Sequence, residues 1–477
     1  MNWDIQQFIK RFLNEIEEDN AAIFAGAGLS SPAGYVNWKE LLRPLVDDLG
    51  LDIDREQDLV SLAQYHHNEN GRHRINQQLI DELSQNKAPT ENHRILAKLP
   101  ISTYWTTNYD RLIEEALKDG GKIPDTKYTN NHLATTKSRR DAVVYKMHGD
   151  IEHPDQAVLT KDDYERYTIN FAPFVNALSG DLVSKTFLFL GFSFTDPNLD
   201  YILSRIRIYF KEHQRQHYCI FKDCDRDEYA SDAEYEHAKT KQQLAIGDLR
   251  RFNIKVLLVD QYADITAILT QIERAYSRRT VFISGSASDF GAWSQQDTES
   301  ALAALSGALI DSGFKIATGV GLGIGNAVIS GAISGIYRNS RGHIEDNLIM
   351  RPFPQFIEDK KERDLTWDRY RRDLIGKCGI ALFFMGNKQV NGNTVNADGV
   401  RKEFDIAKEH GLALVPVGGS EFVARELWEE INGSFDMFYP SASAELKSAY
   451  QNLGAHFGSP SECISRVIEF LKLISKE

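Results

Sequence analysis

The chain has 477 residues, 42% hydrophobic and 26% charged, a composition that fits a soluble globular protein of about two to four domains with sizeable cores. Its formal net charge of −13 weighs against a general nucleic-acid surface or a basic membrane-surface protein, since both need clustered Lys and Arg; no apolar run is long enough to cross a bilayer. Cys219, Cys224, Cys378 and Cys463 are too few and scattered for a disulfide framework or a zinc site and read as reducing cytoplasm, and the acidic start (Asp4, Glu15, Glu17, Glu18, Asp19) does not read as a signal peptide.

Ile5, Phe8, Ile9, Phe12, Leu13 and Ile16 recur at helical spacing and predict a first amphipathic helix. Ala22-Ile23-Phe24-Ala25 then reads as a short buried strand, followed by the turn Gly26-Ala27-Gly28-Leu29-Ser30. Strand, glycine turn and helix together can hold a dinucleotide, because the backbone can approach a pyrophosphate and helix-start N–H groups favour its charge. The turn lacks the third glycine of the common fingerprint, so alone it is as readily a tight βα connection. Helical patterns follow over 38–49, 58–65, 75–83 and from Pro89 to Leu99. Ile101 to Trp105 predicts a strand leading into Thr106-Thr107-Asn108-Tyr109-Asp110 and a helix over 111–117, and the polar stretch 119–140 reads as loop. Ala142 to Met147 predicts a strand ending at His148-Gly149-Asp150; Thr186 to Leu190 predicts another, running into Gly191-Phe192-Ser193-Phe194-Thr195-Asp196-Pro197 and a helix over 198–210. Strands over 217–221 and 254–259 and a helix over 265–276 complete this half.

Alternating strands and helices predict a parallel sheet covered on both faces, in which ligands bind beyond the carboxyl ends of the strands. Gly26-Ala27-Gly28, Asn108 with Asp110, His148, and Gly191 with Ser193 each follow an apolar run, so four βα junctions deliver polar groups to one edge. Singly, each has a plainer reading. Asn108 and Asp110 can cap a helix, His148 can be an ordinary histidine, Gly191 and Ser193 can be turn chemistry, and Asp196-Pro197 reads as a helix start.

A second α/β series begins after the short Ser277-Arg278-Arg279. Strands are predicted over 280–283, 314–317, 380–384 and 412–417, with helices over 298–309, after Gly325, and at the C-terminus through Ile464, Val467, Ile468 and Leu471. Two glycine-rich turns, Ser284-Gly285-Ser286-Ala287 and Thr318 to Gly325, suggest another nucleotide pocket, one without an obvious nucleophile. Arg371 suits bidentate phosphate binding, Lys388 a point-charge contact, and Glu403 can accept from ribose hydroxyls or an adenine amine. The plainer reading makes Arg371 and Glu403 solvated helix charges.

The ordered set Gly26-Ala27-Gly28-Leu29-Ser30, Thr107-Asn108-Tyr109-Asp110, His148-Gly149 and Gly191-Phe192-Ser193 resembles sirtuin-type NAD-binding domains. The resemblance implies that Gly26, Ala27, Gly28 and Ser30 hold the NAD phosphates, Asn108 and Asp110 lie beside the nicotinamide ribose, His148 is the catalytic base, and Gly191 and Ser193 line the adenosine side. Sirtuin deacylases carry a four-cysteine zinc module that nothing here supplies, and this chain reads Ser31-Pro32-Ala33-Gly34-Tyr35-Val36 where they carry Pro-Asp-Phe-Arg. The chemistry left is hydrolysis of the nicotinamide–ribose bond, with deacylation as the alternative. The second half resembles the Rossmann-like family of cytokinin-activating phosphoribohydrolases and bacterial DNA-processing proteins. Of the enzymatic Pro-Gly-Gly-x-Gly-Thr-x-x-Glu pattern only Glu403 clearly survives, split from Met385-Gly386-Asn387-Lys388 by the insertion 389–398, which favours a sensor over a second phosphoribohydrolase.

Together the halves resemble the effector NADase family of Thoeris anti-phage defence. The resemblance implies an α/β protein of two Rossmann-like parallel-sheet domains, a sirtuin-like 1–278 with a helical insertion and a sensor 279–477. It further implies NAD+ as substrate, no metal, and activation by a cyclic ADP-ribose isomer made by a TIR-domain protein. Gly285, Ser286, Leu322, Gly323, Arg371, Lys388, Gly399 and Glu403 would contact that signal. Homotetramers that assemble further on activation, NAD depletion and abortive infection complete the expectation, with no nucleic-acid or membrane partner.

Overall fold

The computed structural model describes residues 3–474 except 84, 86, 340, 341, 355 and 441. The chain forms two compact units, Met1–Glu273 and Arg274–Glu477. In the first, seven strands build one parallel sheet: β1 (Ala21–Ala25), β2 (Thr103–Thr106), β3 (Pro124–Lys127), β4 (Ala142–Lys146), β5 (Thr186–Leu190), β6 (His217–Lys222) and β7 (Ile254–Val259). Their order is β3-β4-β2-β1-β5-β6-β7. The chain leaves β1 on one side to make β2, β3 and β4, then crosses to its other side for β5. That reversal opens the crevice beyond the carboxyl end of β1, where α/β sheets bind ligands.

β1 and β5 are buried at every position, as strands covered on both faces must be. Phe24, Phe187 and Phe189 fill one side of this core, with Phe24 and Phe189 stacked at 5.1 Å. Trp105 on β2 stacks on Tyr145 at 4.2 Å and donates its indole N–H to Asp181 at 2.8 Å. Burial pushes the Asp181 carboxyl up, and that bond opposes the shift. The helices Trp38–Asp48, Leu59–Asn70 and Arg72–Leu83 form the helical insertion after the glycine turn, around Leu42, Leu45, Leu62 and Leu79.

The stretch 119–140, expected to be loop, contains the edge strand β3 and the short helix Asn130–Leu133. β3 is Pro-Asp-Thr-Lys and has no apolar run to announce it. It is held by register with β4 and by a nearly buried Asp125–Lys127 ion pair at 2.8 Å. Neighbouring polar side chains that satisfy each other can be buried without any hydrophobic signal in the sequence.

The second unit has its own parallel sheet, ordered β10-β9-β8-β11-β14. These strands are β8 (Thr280–Ser286), β9 (Lys315–Thr318), β10 (Leu348–Met350), β11 (Ile380–Met385) and β14 (Ala413–Pro416). A hairpin of β12 (Asn387–Val390) and β13 (Asn393–Asn396) occupies the insertion between β11 and the helix Asp398–Glu409. β11 is buried throughout and pairs with β8 from Ile380–Val281 to Met385–Ser286. Both units are thus α/β with parallel sheets of Rossmann-like build.

Candidate active site

The turn after β1 and the turn after β5 meet backbone to backbone. Gly26 N donates to Leu190 O and Gly28 N to Gly191 O, both at 2.9 Å. A Cβ on Gly26 would lie 2.4 Å from Gly191 O, and one on Gly191, where φ is +62°, would lie 2.2 Å from Leu29 N. Here the glycines serve first to let two βα turns touch.

On the other side of β1, Asn108 ties in the turn after β2. Its Nδ2 donates to Gly26 O and to Ser30 Oγ, each at 3.0 Å. A carbonyl can only accept, so the amide orientation is fixed and Oδ1 is the free acceptor. The backbone N–H of Asn108 donates to Thr106 Oγ1 at 2.9 Å, and that hydroxyl donates to Ala25 O at 2.9 Å. Asp110 Oδ1 accepts from Leu112 N at 3.0 Å, so it does start the next helix as well as face the cleft.

Below these turns sits Lys146, fully buried at the end of β4. Its ammonium donates to Tyr109 O at 2.9 Å, Asp110 O at 2.6 Å and Asp150 Oδ2 at 2.5 Å. Burial alone would lower this ammonium; Glu114, Asp150 and Asp110 outweigh it and raise it. Glu114 Oε1 stands 3.5 Å away without a hydrogen bond, and burial pushes its own carboxyl up. Lys146 therefore clamps the backbone that carries Asn108.

Two residues beyond Lys146, His148 is 4% exposed. Tyr164 and the imidazole stand edge to face with ring centres 5.4 Å apart, and burial pushes the Tyr164 phenol far up, so it stays neutral. His148 Nε2 lies 3.0 Å from Asp196 Oδ2, within ion-pair distance but off the line of a hydrogen bond. Asp196 Oδ1 meanwhile accepts from Leu199 N at 2.9 Å and caps the helix Pro197–Phe210. Asp196, read as a helix start, thus reaches the histidine as well. Its only sequence signal was its place after the fourth junction.

A cleft of about 1040 Å³ joins these groups and is roomy for a dinucleotide. Ala27, Gly28, Ser30, Asn108, Asp110, His148, Gly191 and Ser193 all line it, as do Tyr164 and Asp196. Gly26 stands behind them, holding Asn108 through its carbonyl. Ser193 is exposed and shares a hydrogen bond with Thr195 at 2.9 Å. Among the described residues no group of three or more His, Cys, Asp or Glu is placed to hold a metal ion.

In the second unit the expected residues lie beyond the carboxyl ends of β8, β9 and β11. Gly285 and Ser286 end β8, and Ala287 N donates to Leu322 O at 2.9 Å. A Cβ on Gly323 would lie 1.9 Å from Ala287 O, so these two turns also touch. Val320 in the turn after β9 has φ of +57°, a strained setting for a β-branched residue. Arg371 and Glu403 are buried and paired at 3.3 Å, rather than solvated. Glu403 also accepts from Ser284 Oγ at 2.6 Å, and the Arg371 guanidinium lies 4.7 Å from the centre of the Phe353 ring. Burial pushes the Glu403 carboxyl up despite both partners. Gly399 leaves room for Arg371, whose Nη2 would be 3.3 Å from an added Cβ. Lys388 is half-buried on β12 and turns its ammonium to Asp398. Leu322 is exposed. Sequence reasoning passed over Asn387, which is fully buried and accepts from Ser288 N and Asp289 N at 2.9 Å, fixing the turn after β8.

A glycine turn, an amide and an imidazole gathered at the switch of a parallel sheet, ahead of a second nucleotide-type α/β unit, define a sirtuin-like two-unit nucleotide-binding protein. The SIR2-like domain family matches residues 102–243, and the Sir2- and TIR-associating SLOG family matches 264–474. The chain is 56% identical to the NAD(+) hydrolase ThsA of Acinetobacter baumannii (strain 532279) over 98% of each chain. It is 51% identical to that of Bacillus cereus (strain MSX-D12) over 100% of this chain and 99% of the relative, and 44% identical to that of Enterococcus faecium over 94% of each. The chain belongs to this ThsA family.

Proposed function

We propose that the chain hydrolyses NAD+ to ADP-ribose and nicotinamide as an effector of anti-phage defence, and that a cyclic ADP-ribose isomer on the second unit switches it on. The observation that carries the reading is that Asn108 and His148 line one cleft together with the glycine turns. Asn108 Oδ1 orients a water for attack on the anomeric carbon of the nicotinamide ribose. The C1′–N bond breaks, its electron pair stays on the nicotinamide nitrogen, and the water proton passes to His148 and then to solvent. Gly28, Ser30, Gly191 and Ser193 are the binding side, and Asp110 sits beside the ribose.

Arg371, Glu403, Lys388, Gly399 and the turns at Gly285-Ser286 and Leu322-Gly323 form the signal site. A TIR-domain protein supplies the signal through solution, and the protein works in the cytoplasm as a homo-oligomer, a tetramer that assembles further when activated. The signal must bind the active arrangement more tightly than the resting one, or it would shift nothing. Nicotinamide release by purified protein, with and without cyclic ADP-ribose isomers and without any acylated peptide, tests the reading. We expect peptide-independent turnover that an isomer stimulates and that Asn108→Ala and His148→Ala abolish; full turnover in either variant overturns the site.

A further inference from the structure

We propose that Asp196 is a positioning residue for His148, its carboxylate holding the imidazole so that Nδ1 is the basic nitrogen presented to the cleft. The proposal rests on the hydrolase reading above and adds a residue to it. Four observations carry it. Asp196 Oδ2 stands 3.0 Å from His148 Nε2, with the two side chains 7% and 5% exposed. Nε2 is sealed from solvent and makes no hydrogen bond, so the Asp196 carboxylate is the group it faces, while His148 lines the cleft, which leaves Nδ1 for the substrate. The second carboxylate oxygen is fixed by Leu199 N, and Pro197 starts the helix, so the carboxylate cannot swing away. Finally, a cap alone does not require a buried charge, and burying one without a further partner is costly.

The missing alignment fits this role, since catalytic pairs often tighten only once substrate is bound. An acceptor beside one ring nitrogen draws the proton there and leaves the other as lone pair. The neighbouring titratable groups do not compete. Tyr109, Tyr164 and Tyr167 surround the pair, and burial pushes each phenol up so that it remains uncharged. Burial also pushes the Asp196 carboxyl up, but His148 and the N–H groups of Leu199 and Asn198 bring it below the ordinary value.

Asparagine and serine cap helices as well as aspartate does. Asp196→Asn and Asp196→Ser therefore keep the helix start while removing the carboxylate. With full-length protein, NAD+ and the activating isomer, both variants should keep wild-type KM and melting temperature and lose about 100-fold in kcat. Wild-type kcat in either variant reduces Asp196 to a cap and overturns the proposal. A fall in melting temperature with a matching rise in KM does the same, because the role is then structural. His148→Ala, assayed beside them, separates the failures. If it is inactive while Asp196→Asn keeps wild-type kcat, only the positioning role falls; if it turns over normally, the histidine's own assignment falls.

Discussion

Asn108 is held from three directions, and its value lies in which of its atoms is left over. Asn108→Asp keeps the size but sets a carboxylate oxygen against Gly26 O, where Nδ2 now donates at 3.0 Å. We expect a loss of about 1–3 kcal/mol in stability and of nearly all turnover, read by thermal melting and nicotinamide release. His217 offers a different test. Its Nδ1 accepts from Phe187 N at 3.1 Å, so only the unprotonated ring fits. Burial, with a smaller contribution from Arg215, pushes its ionisation down from 6.5 to about 3. On acidification the unfolded chain takes up this proton first, so the stabilisation is complete above pH 6.5 and is lost as pH falls towards 3. The urea midpoint should drop across that window, and less steeply in His217→Gln, whose side chain can accept the same N–H without titrating.

The central strands of both units were legible in the sequence because they are buried on both faces: β1 is Ala-Ala-Ile-Phe-Ala, β5 is Thr-Phe-Leu-Phe-Leu and β11 is Ile-Ala-Leu-Phe-Phe-Met. The four junctions were legible because each follows closely on a strand-like run. What escaped was held by polar pairing. β3 rests on Asp125 and Lys127, and Lys146 reads as one more strand residue although it clamps the turn above it. The helix Asp232–Leu249 escaped because only Leu249 of its residues is buried. A glycine turn after a strand suggests phosphate approach, whereas Gly26, Gly28 and Gly191 first accommodate each other's backbone. Lys146→Met would leave Asp150 buried and unpaired, and about 3–5 kcal/mol of stability should go with it. Urea unfolding followed by tryptophan fluorescence checks this, since Trp105 lies on the adjoining strand.

At the scale of the whole molecule the prediction concerns response rather than turnover. Replacing Arg371 alone strands a buried carboxylate, so the informative variant is Arg371→Met with Glu403→Gln, which removes the charge pair together. We expect it to fold, to keep whatever NAD+ turnover the unstimulated protein shows, and to gain nothing from a cyclic ADP-ribose isomer; isothermal calorimetry with the isomer and the NAD+ assay read the two halves of that statement. The first unit carries a constraint of another kind. The turn at Gly26-Gly28 and the turn at Gly191 lie far apart along the chain yet interlock so closely that neither tolerates one extra carbon on the other. A chimera that takes one of them from a distant relative must take both, and a directed-evolution library that diversifies only one will be emptied by misassembly before any of its members can be selected for a new substrate.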